Sequence, residues 1–277
     1  MADITAAMVQ ELREATNVGM MECKRALVEA GGDKDQAIRL LRERGMAIAA
    51  KKSTRAANQG LIAAAGDSKA GALIEINCET DFVAKNENFQ KFVKTMAGKA
   101  LSMADGTITE ATKVEMAAKV AEIGENLIAK RNIGYTLQGP GLVATYIHLN
   151  GKLGVMIELG AGKEASVSNP AVQDVAKDLT LHIAACSPKY LVRQDVPAEI
   201  VAGERDIYAK QVVGKPANIV DKIVDGKMGK FYAQVCLVEQ GFVKDPDISV
   251  TQLLAAKSKE IGDTLTVRRF VRWQVGE

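Results

Sequence analysis

Ala72-Leu73-Ile74-Glu75-Ile76-Asn77-Cys78-Glu79-Thr80-Asp81-Phe82-Val83-Ala84-Lys85-Asn86-Glu87-Asn88-Phe89 reads as a strand, a polar-aromatic corner and the start of a helix. The apolar, β-branched residues of 72–78 fit a half-buried pleated surface. Phe89, Phe92, Val93 and Met96 then recur at helical spacing, so a helix begins near Asn86 or Asn88. Thr80, Asp81, Phe82 and Val83 therefore fall on the connection. Two readings stand. Either Phe82 packs under its own helix while Asp81 caps it, or ring and carboxylate form an anchored probe for another molecule, area from one and charge from the other.

The same plan returns downstream, and that sets the fold class as α+β. The first copy carries Gly60-Leu61-Ile62-Ala63 and Gly71-Ala72-Leu73-Ile74-Glu75-Ile76; the second carries Gly141-Leu142-Val143-Ala144 and Gly154-Val155-Met156-Ile157-Glu158-Leu159. The offsets, 141 − 60 = 81 and 154 − 71 = 83, differ only by loop length. Short polar turns, Asp67-Ser68-Lys69-Ala70-Gly71 and Asn150-Gly151-Lys152, favour antiparallel hairpins. Two core subdomains follow, 59–140 and 141–277, each a sheet with helices, the second helix running through Val172, Val175 and Leu179. Residues 114–129 are expected as one more helix, with Val120, Ile123, Leu127 and Ile128 on its apolar side. Where the second copy turns on Gly160-Ala161-Gly162, the first spends Cys78-Glu79-Thr80-Asp81-Phe82. A turn needs only the former, which favours the second reading of the corner.

Upstream, residues 1–50 read as three short helices. Ile4, Met8, Val9 and Leu12 form one stripe, Met21, Ala26, Leu27 and Ala30 a second, Ala37, Ile38, Leu40 and Leu41 a third, with breaks at Asn17-Val18-Gly19 and Gly31-Gly32-Asp33. Asp33 is placed as an N-cap and Gly45 as a stop. The unit resembles the ubiquitin-associated type of module, which binds partner proteins. Gly19-Met20-Met21 is read as a loop, followed by Cys23-Lys24; a methionine there serves an adaptable contact or fills core. Residues 51–58 are a linker, with Lys51, Lys52 and Arg55 solvated.

Residues 188–232 interrupt the second subdomain with an antiparallel helical hairpin, a short coiled coil. Asp195 is expected as N-cap, Ile200, Ile207, Val212 and Val213 as the first stripe, Gly214-Lys215-Pro216 as the turn, and Ile219, Val220, Ile223, Val224 and Met228 as the return. Ala233-Gln234-Val235-Cys236-Leu237 reads as a strand, followed by a helix through Leu253 and Leu254. A closing strand alternates Leu265, Val267, Val271, Trp273 and Val275 toward a core, leaving Arg268 and Arg272 solvated.

Composition narrows the function. A net charge of +2 with both signs mixed argues against a basic nucleic-acid field or a membrane anchor, and 4% aromatic residues leave few platforms for stacking bases. No basic leader and no long uncharged apolar run is present, so a soluble, unexported protein is expected. Cys23, Cys78, Cys186 and Cys236 are scattered, suggesting neither disulfides nor zinc but buried thiols in a reducing cytoplasm. No GxxxxGK[ST] loop occurs, and Gly160-Ala161-Gly162-Lys163-Glu164-Ala165 is a weak dinucleotide match because its helix starts only near Asn169-Pro170. His182 sits in an apolar helix as a core residue; His148, ending a strand, reaches solvent or a partner. Neither has a nucleophile beside it. The expected class is a protein that acts on another protein, without cofactor, metal or reaction centre of its own.

Two stretches carry a resemblance. Leu12-Arg13-Glu14-Ala15-Thr16-Asn17-Val18-Gly19-Met20-Met21-Glu22-Cys23-Lys24-Arg25-Ala26-Leu27 and Glu75-Ile76-Asn77-Cys78-Glu79-Thr80-Asp81-Phe82-Val83-Ala84-Lys85 resemble the two signatures of the bacterial translation elongation factor Ts family, and the order of parts agrees along the chain. The resemblance implies a guanine-nucleotide exchange factor for elongation factor Tu. It implies that Phe82 wedges between helices of the GTPase and that Asp81 disturbs its magnesium ligands, with Thr80 and Val83 in the same contact. His148 is implied near the phosphate loop, Met20, Met21 and Lys24 on the outer face. The hairpin is left to touch either elongation factor Tu or a second copy, as a homodimer in the complex. Some members continue past the position of Glu277 into a further helix, a contact not expected here.

Overall fold

The computed structural model describes residues 4–16, 18–212 and 216–277; the breaks expected at Asn17 and Gly214-Lys215, and the stripe residue Val213, lie outside the described residues. Three helices come first, α1 (Ala6–Thr16), α2 (Met20–Glu29) and α3 (Lys34–Lys52), then β1 (Gln59–Gly66), β2 (Ala70–Cys78), α4 (Asp81–Lys85), α5 (Glu87–Ala100), α6 (Ile108–Ala111), α7 (Lys113–Ile123) and β3 (Leu127–Thr136). The chain continues through β4 (Gly141–His148), β5 (Leu153–Ala161), α8 (Glu164–Val167), α9 (Pro170–Cys186), α10 (Ala198–Lys210), α11 (Ala217–Val235), β6 (Gly241–Phe242), β7 (Asp245–Ser249), α12 (Val250–Ile261) and β8 (Leu265–Gln274). This is α+β: N-terminal helices, then antiparallel sheets β1-β2-β3 and β4-β5-β8 with helices, and a small β6-β7 pair.

Val9, Leu12, Cys23, Ala26, Leu27, Ala37 and Leu41 close a small core among α1, α2 and α3. Asp33 caps α3 as expected, its carboxylate accepting the Gln36 N–H at 2.9 Å. Gly45 does not stop α3. The helix continues to Lys52 because its buried face lies on α7, with Gly45 against Ala117 and Ala121; packing overrides the roughly 1 kcal/mol that glycine costs inside a helix.

Alternation along β2 and β5 puts one face of each sheet on helices and the other on its sister sheet. Ile74, Ile76 and Cys78 join Phe89, Val93 and Met96 of α5. Val155, Ile157 and Leu159 join Val172, Val175 and Leu179 of α9 and Leu253 and Leu254 of α12. Leu73, Tyr135, Met156 and Trp273 meet between the sheets. The result is helix, sheet, sheet, helix. Gly60 and Gly141 make the same close approach in both units, since a β-carbon would lie 2.4 Å from the Ile76 carbonyl oxygen or 2.3 Å from that of Leu159.

The expected helix over 114–129 ends early. Gly124, at φ +83°, terminates α7, and Leu127 begins β3 opposite Cys78. The strand expected over 233–237 is mostly helix, α11 running to Val235, while Cys236 makes a lone bridge to Tyr190. Asp195 does not cap α10; it lies in a short turn and accepts the Val192 N–H at 3.1 Å. The packed stripe of α10 is Val201 and Tyr208, against Val224, Met228 and Phe231, leaving Ile200 and Ile207 in water. A bulge between Glu158 and Leu159 splits β8: Leu265 and Val267 face the helices, Val271, Trp273 and Val275 the sister sheet.

Arg268 is not solvated, because the bulge turns it onto Glu158. That carboxylate, buried between the sheets, takes Arg268 at 3.0 Å, Arg269 at 2.7 Å and the Gln138 N–H at 3.1 Å. Burial works against its charge, but these donors outweigh burial and hold its carboxyl below the usual range. Glu75, equally buried, takes Arg131 at 2.6 Å with Lys130 at 3.4 Å. Each arginine then crosses to the other sheet. Arg131 lies 4.6 Å from the Trp273 ring and donates to the Gln274 carbonyl; Arg269 lies 4.0 Å from the Tyr135 ring and donates to the Thr136 carbonyl. The two halves clasp each other reciprocally.

Candidate functional site

The corner after β2 is a single helical turn, α4, rather than a plain loop. Thr80, not Asp81, is its N-cap: Thr80 Oγ1 accepts the Val83 N–H at 3.3 Å. Ala84 is buried and Val83 packs on the α5 core, so the turn is pinned from beneath. Asn86 caps the next helix, accepting the N–H groups of Asn88 and Phe89 at 2.9 and 3.3 Å. Between these fixed points Phe82 stands 80% exposed. The reading in which Phe82 packs under its own helix is therefore wrong.

Asp81 is beside the ring and pairs with Lys85 one turn on at 2.7 Å; that hydrogen bond holds the Asp81 carboxyl below its ordinary value. Both groups are exposed, so the pair is easily exchanged for another partner.

Four residues that the sequence did not single out as site residues fix the corner. In the loop between α7 and β3, Glu125 accepts the Thr80 N–H at 3.0 Å and the Thr80 hydroxyl at 2.6 Å. Glu79 returns the bond, accepting the Asn126 N–H at 2.6 Å, and that bond chiefly holds its carboxyl low. Asn126 donates to the Arg55 carbonyl at 2.7 Å, and Arg55 meets Glu79 at 3.5 Å. The residues expected as a solvated linker thus close a ring behind the corner. Beneath it, Cys78 is inert: burial, with Glu125 nearby, pushes its thiol up to about 12.

His148 ends β4, exposed, its Nδ1 2.7 Å from the Tyr146 hydroxyl. The next residue, Leu149, is also exposed and held at φ +49°, a conformation disfavoured for a branched side chain. Lys152, whose N–H bonds the His148 carbonyl, reaches Gln59 Oε1 at 3.1 Å and the Gly60 carbonyl at 3.0 Å; Gln59 in turn pairs with Cys78. The His148 loop is therefore tied to the foot of the corner. His182, by contrast, is fully buried, donating from Nε2 to Gln240 at 3.0 Å and accepting the Val243 N–H at Nδ1. Met20, Met21 and Lys24 lie on α2, all exposed, Met21 at 66%, so neither methionine fills core.

Among the described residues no group of three or more His, Cys, Asp and Glu could hold a metal ion, and no helix is long and apolar enough to cross a membrane. What the arrangement offers is a rigidly held ring and carboxylate, with a histidine loop alongside.

Residues 79–277 match the family described as Elongation factor TS. Elongation factor Ts of Trichlorobacter lovleyi is 42% identical over 290 aligned residues, spanning 99% of this chain and 93% of that protein. The proteins of that name from Clostridium botulinum, 41% identical, and Syntrophotalea carbinolica, 42% identical, cover the same shares.

Proposed function

We infer, from a chain that belongs to the elongation factor Ts family, the non-catalytic nucleotide exchange factors of elongation factor Tu in translation elongation, that exchange is carried by the α4 corner. Phe82 enters the GTPase domain as a wedge, and Asp81, leaving Lys85, disturbs the water-held ligands of the partner's magnesium. That ion neutralises diphosphate charge, so its loss weakens GDP binding. The factor favours the nucleotide-free partner, and by linkage GDP binds the complex more weakly by the same ratio. No chemistry on this chain is required.

The observation that carries this reading is Phe82: a large ring kept in water on a turn fixed from three sides. Thr80 and Val83 set its aim. His148 joins from the adjacent loop, and Met20, Met21 and Lys24 dock separately as an adaptable apolar contact with a charge. We take 1–50 as a ubiquitin-associated-like module, 51–58 as linker, 59–140 and 141–277 as core subdomains, and 188–232 as a hairpin whose exposed Ile200, Ile207 and Ile219 meet elongation factor Tu. A homodimer is the alternative for that surface, separable by light scattering of the complex. The setting is cytoplasmic.

Sub-stoichiometric protein should accelerate release of fluorescent GDP from elongation factor Tu. No acceleration at any concentration would sink the reading.

A further inference from the structure

We propose that Glu125 is the positioning residue of exchange: it sets the orientation in which Phe82 and Asp81 meet the partner. The proposal rests on the corner being the working contact. A helix of five residues cannot hold its own shape, and α4 buries only Ala84 fully, so its direction must come from outside. Glu125 supplies that constraint with both carboxylate oxygens, one on the Thr80 N–H at 3.0 Å and one on the Thr80 hydroxyl at 2.6 Å. The first of these groups sits at the helix start, where N–H donors lack intrahelical partners, and charged acceptors there are strong. Glu125 is itself held, because the adjacent Asn126 N–H is bound to Glu79 at 2.6 Å on the other side of Thr80. Two carboxylates exchanged between two segments make a clamp with little play. It also turns the Thr80 hydroxyl inward, leaving the outward surface to Asp81 and Phe82.

An internal control exists. Asp263, before β8, stands where Glu125 stands before β3, and it accepts the Lys163 N–H at 2.9 Å at the foot of α8. That turn displays no large apolar side chain, so the carboxylate there serves the fold alone.

The test is stopped-flow release of fluorescent GDP from elongation factor Tu against concentration of the full-length chain, for wild type, Glu125→Gln, Glu125→Ala and Asp263→Asn. The isosteric Glu125→Gln removes the charge and leaves one acceptor oxygen for the two Thr80 donors, N–H and hydroxyl, so it loosens the clamp and should lower the maximal rate about tenfold. The half-saturating concentration should stay within about twofold, since α2 docks as before. Asp263→Asn should keep the wild-type maximal rate even if its melting point falls. Should Glu125→Ala lose its far-ultraviolet circular dichroism, Glu125→Gln carries the result. A wild-type maximal rate in Glu125→Gln, or an equal loss in Asp263→Asn, overturns the positioning role. A wild-type chain that releases no GDP overturns exchange itself, and the same traces show which has failed.

Discussion

Thr80-Asp81-Phe82-Val83 and Lys163-Glu164-Ala165-Ser166 occupy corresponding corners, since 163 − 80 = 83 is also the offset between Glu75 and Glu158. Each opens a one-turn helix beyond a central strand, and each gives its first N–H to a carboxylate from the loop before the third strand. Those carboxylates, Glu125 and Asp263, are 263 − 125 = 138 apart, as are Arg131 and Arg269, which clasp the two sheets. The second corner is thus not the featureless turn its glycines suggest; Gly160 and Ala161 belong to β5, and α8 follows. What differs is the tip: Phe82 where the second corner has Ala165. Everything the fold needs from a corner is present in both. A ring kept in water stabilises nothing in its own chain, and its use lies in another molecule.

The clasp offers the largest effect by which that comparison can be broken. Arg131→Ala and Arg269→Ala each leave a buried glutamate with one cation fewer and strip a ring of its stacking partner, so each should cost about 2 kcal/mol in urea unfolding. Similar costs are expected because the contacts are reciprocal; a negligible cost for either would show that the halves are held otherwise. Val167→Ala in α8 removes methyls packed on the second core and should cost about 1 kcal/mol, whereas Phe82→Ala should change stability by no more than about 0.5 kcal/mol. A larger loss at Phe82 would mean that the ring packs at home.

Acid sharpens the contrast further, because His182 lies only in the second half. Burial lowers its pKa, against the opposing bond to Gln240, so the unfolded chain takes up the proton first. Its contribution is complete above the ordinary value of about 6.5 and declines as pH falls below it. The wild-type melting temperature should drop between about pH 7 and pH 5.5, and His182→Asn should flatten that drop. The smallest effect is at Lys85→Ala. Without the ammonium, the Asp81 carboxyl should titrate nearer its ordinary value by NMR, with stability unchanged.

Much of the scaffold was legible because period-two and period-3.6 patterns are local. The paired strands, the Asp33 cap and the helix after Asn169 all follow from such patterns. β3 was hidden because Leu127 and Ile128 continue the apolar spacing of α7, and only pairing with β2 makes Gly124 a boundary. Gly45 and Ala233-Gln234-Val235 misled in the opposite sense, where tertiary packing carried α3 through a glycine and α11 through a stretch that reads as strand. The corner's tip could be read, but its clamp could not. A lone Glu125 has no local signature, although aligning Gly124-Glu125 with Gly262-Asp263 would have pointed to it.

Phe82→Ala gives the tip of the first corner the residue found at the tip of the second, and the maximal rate of GDP release from elongation factor Tu is the direct measure of what that removes. Loss of a central aromatic contact, about 2 kcal/mol, predicts a rate lowered about thirtyfold, with Val167→Ala at the wild-type rate. A wild-type rate in Phe82→Ala, or an equal loss in Val167→Ala, would contradict the assignment of exchange to this corner.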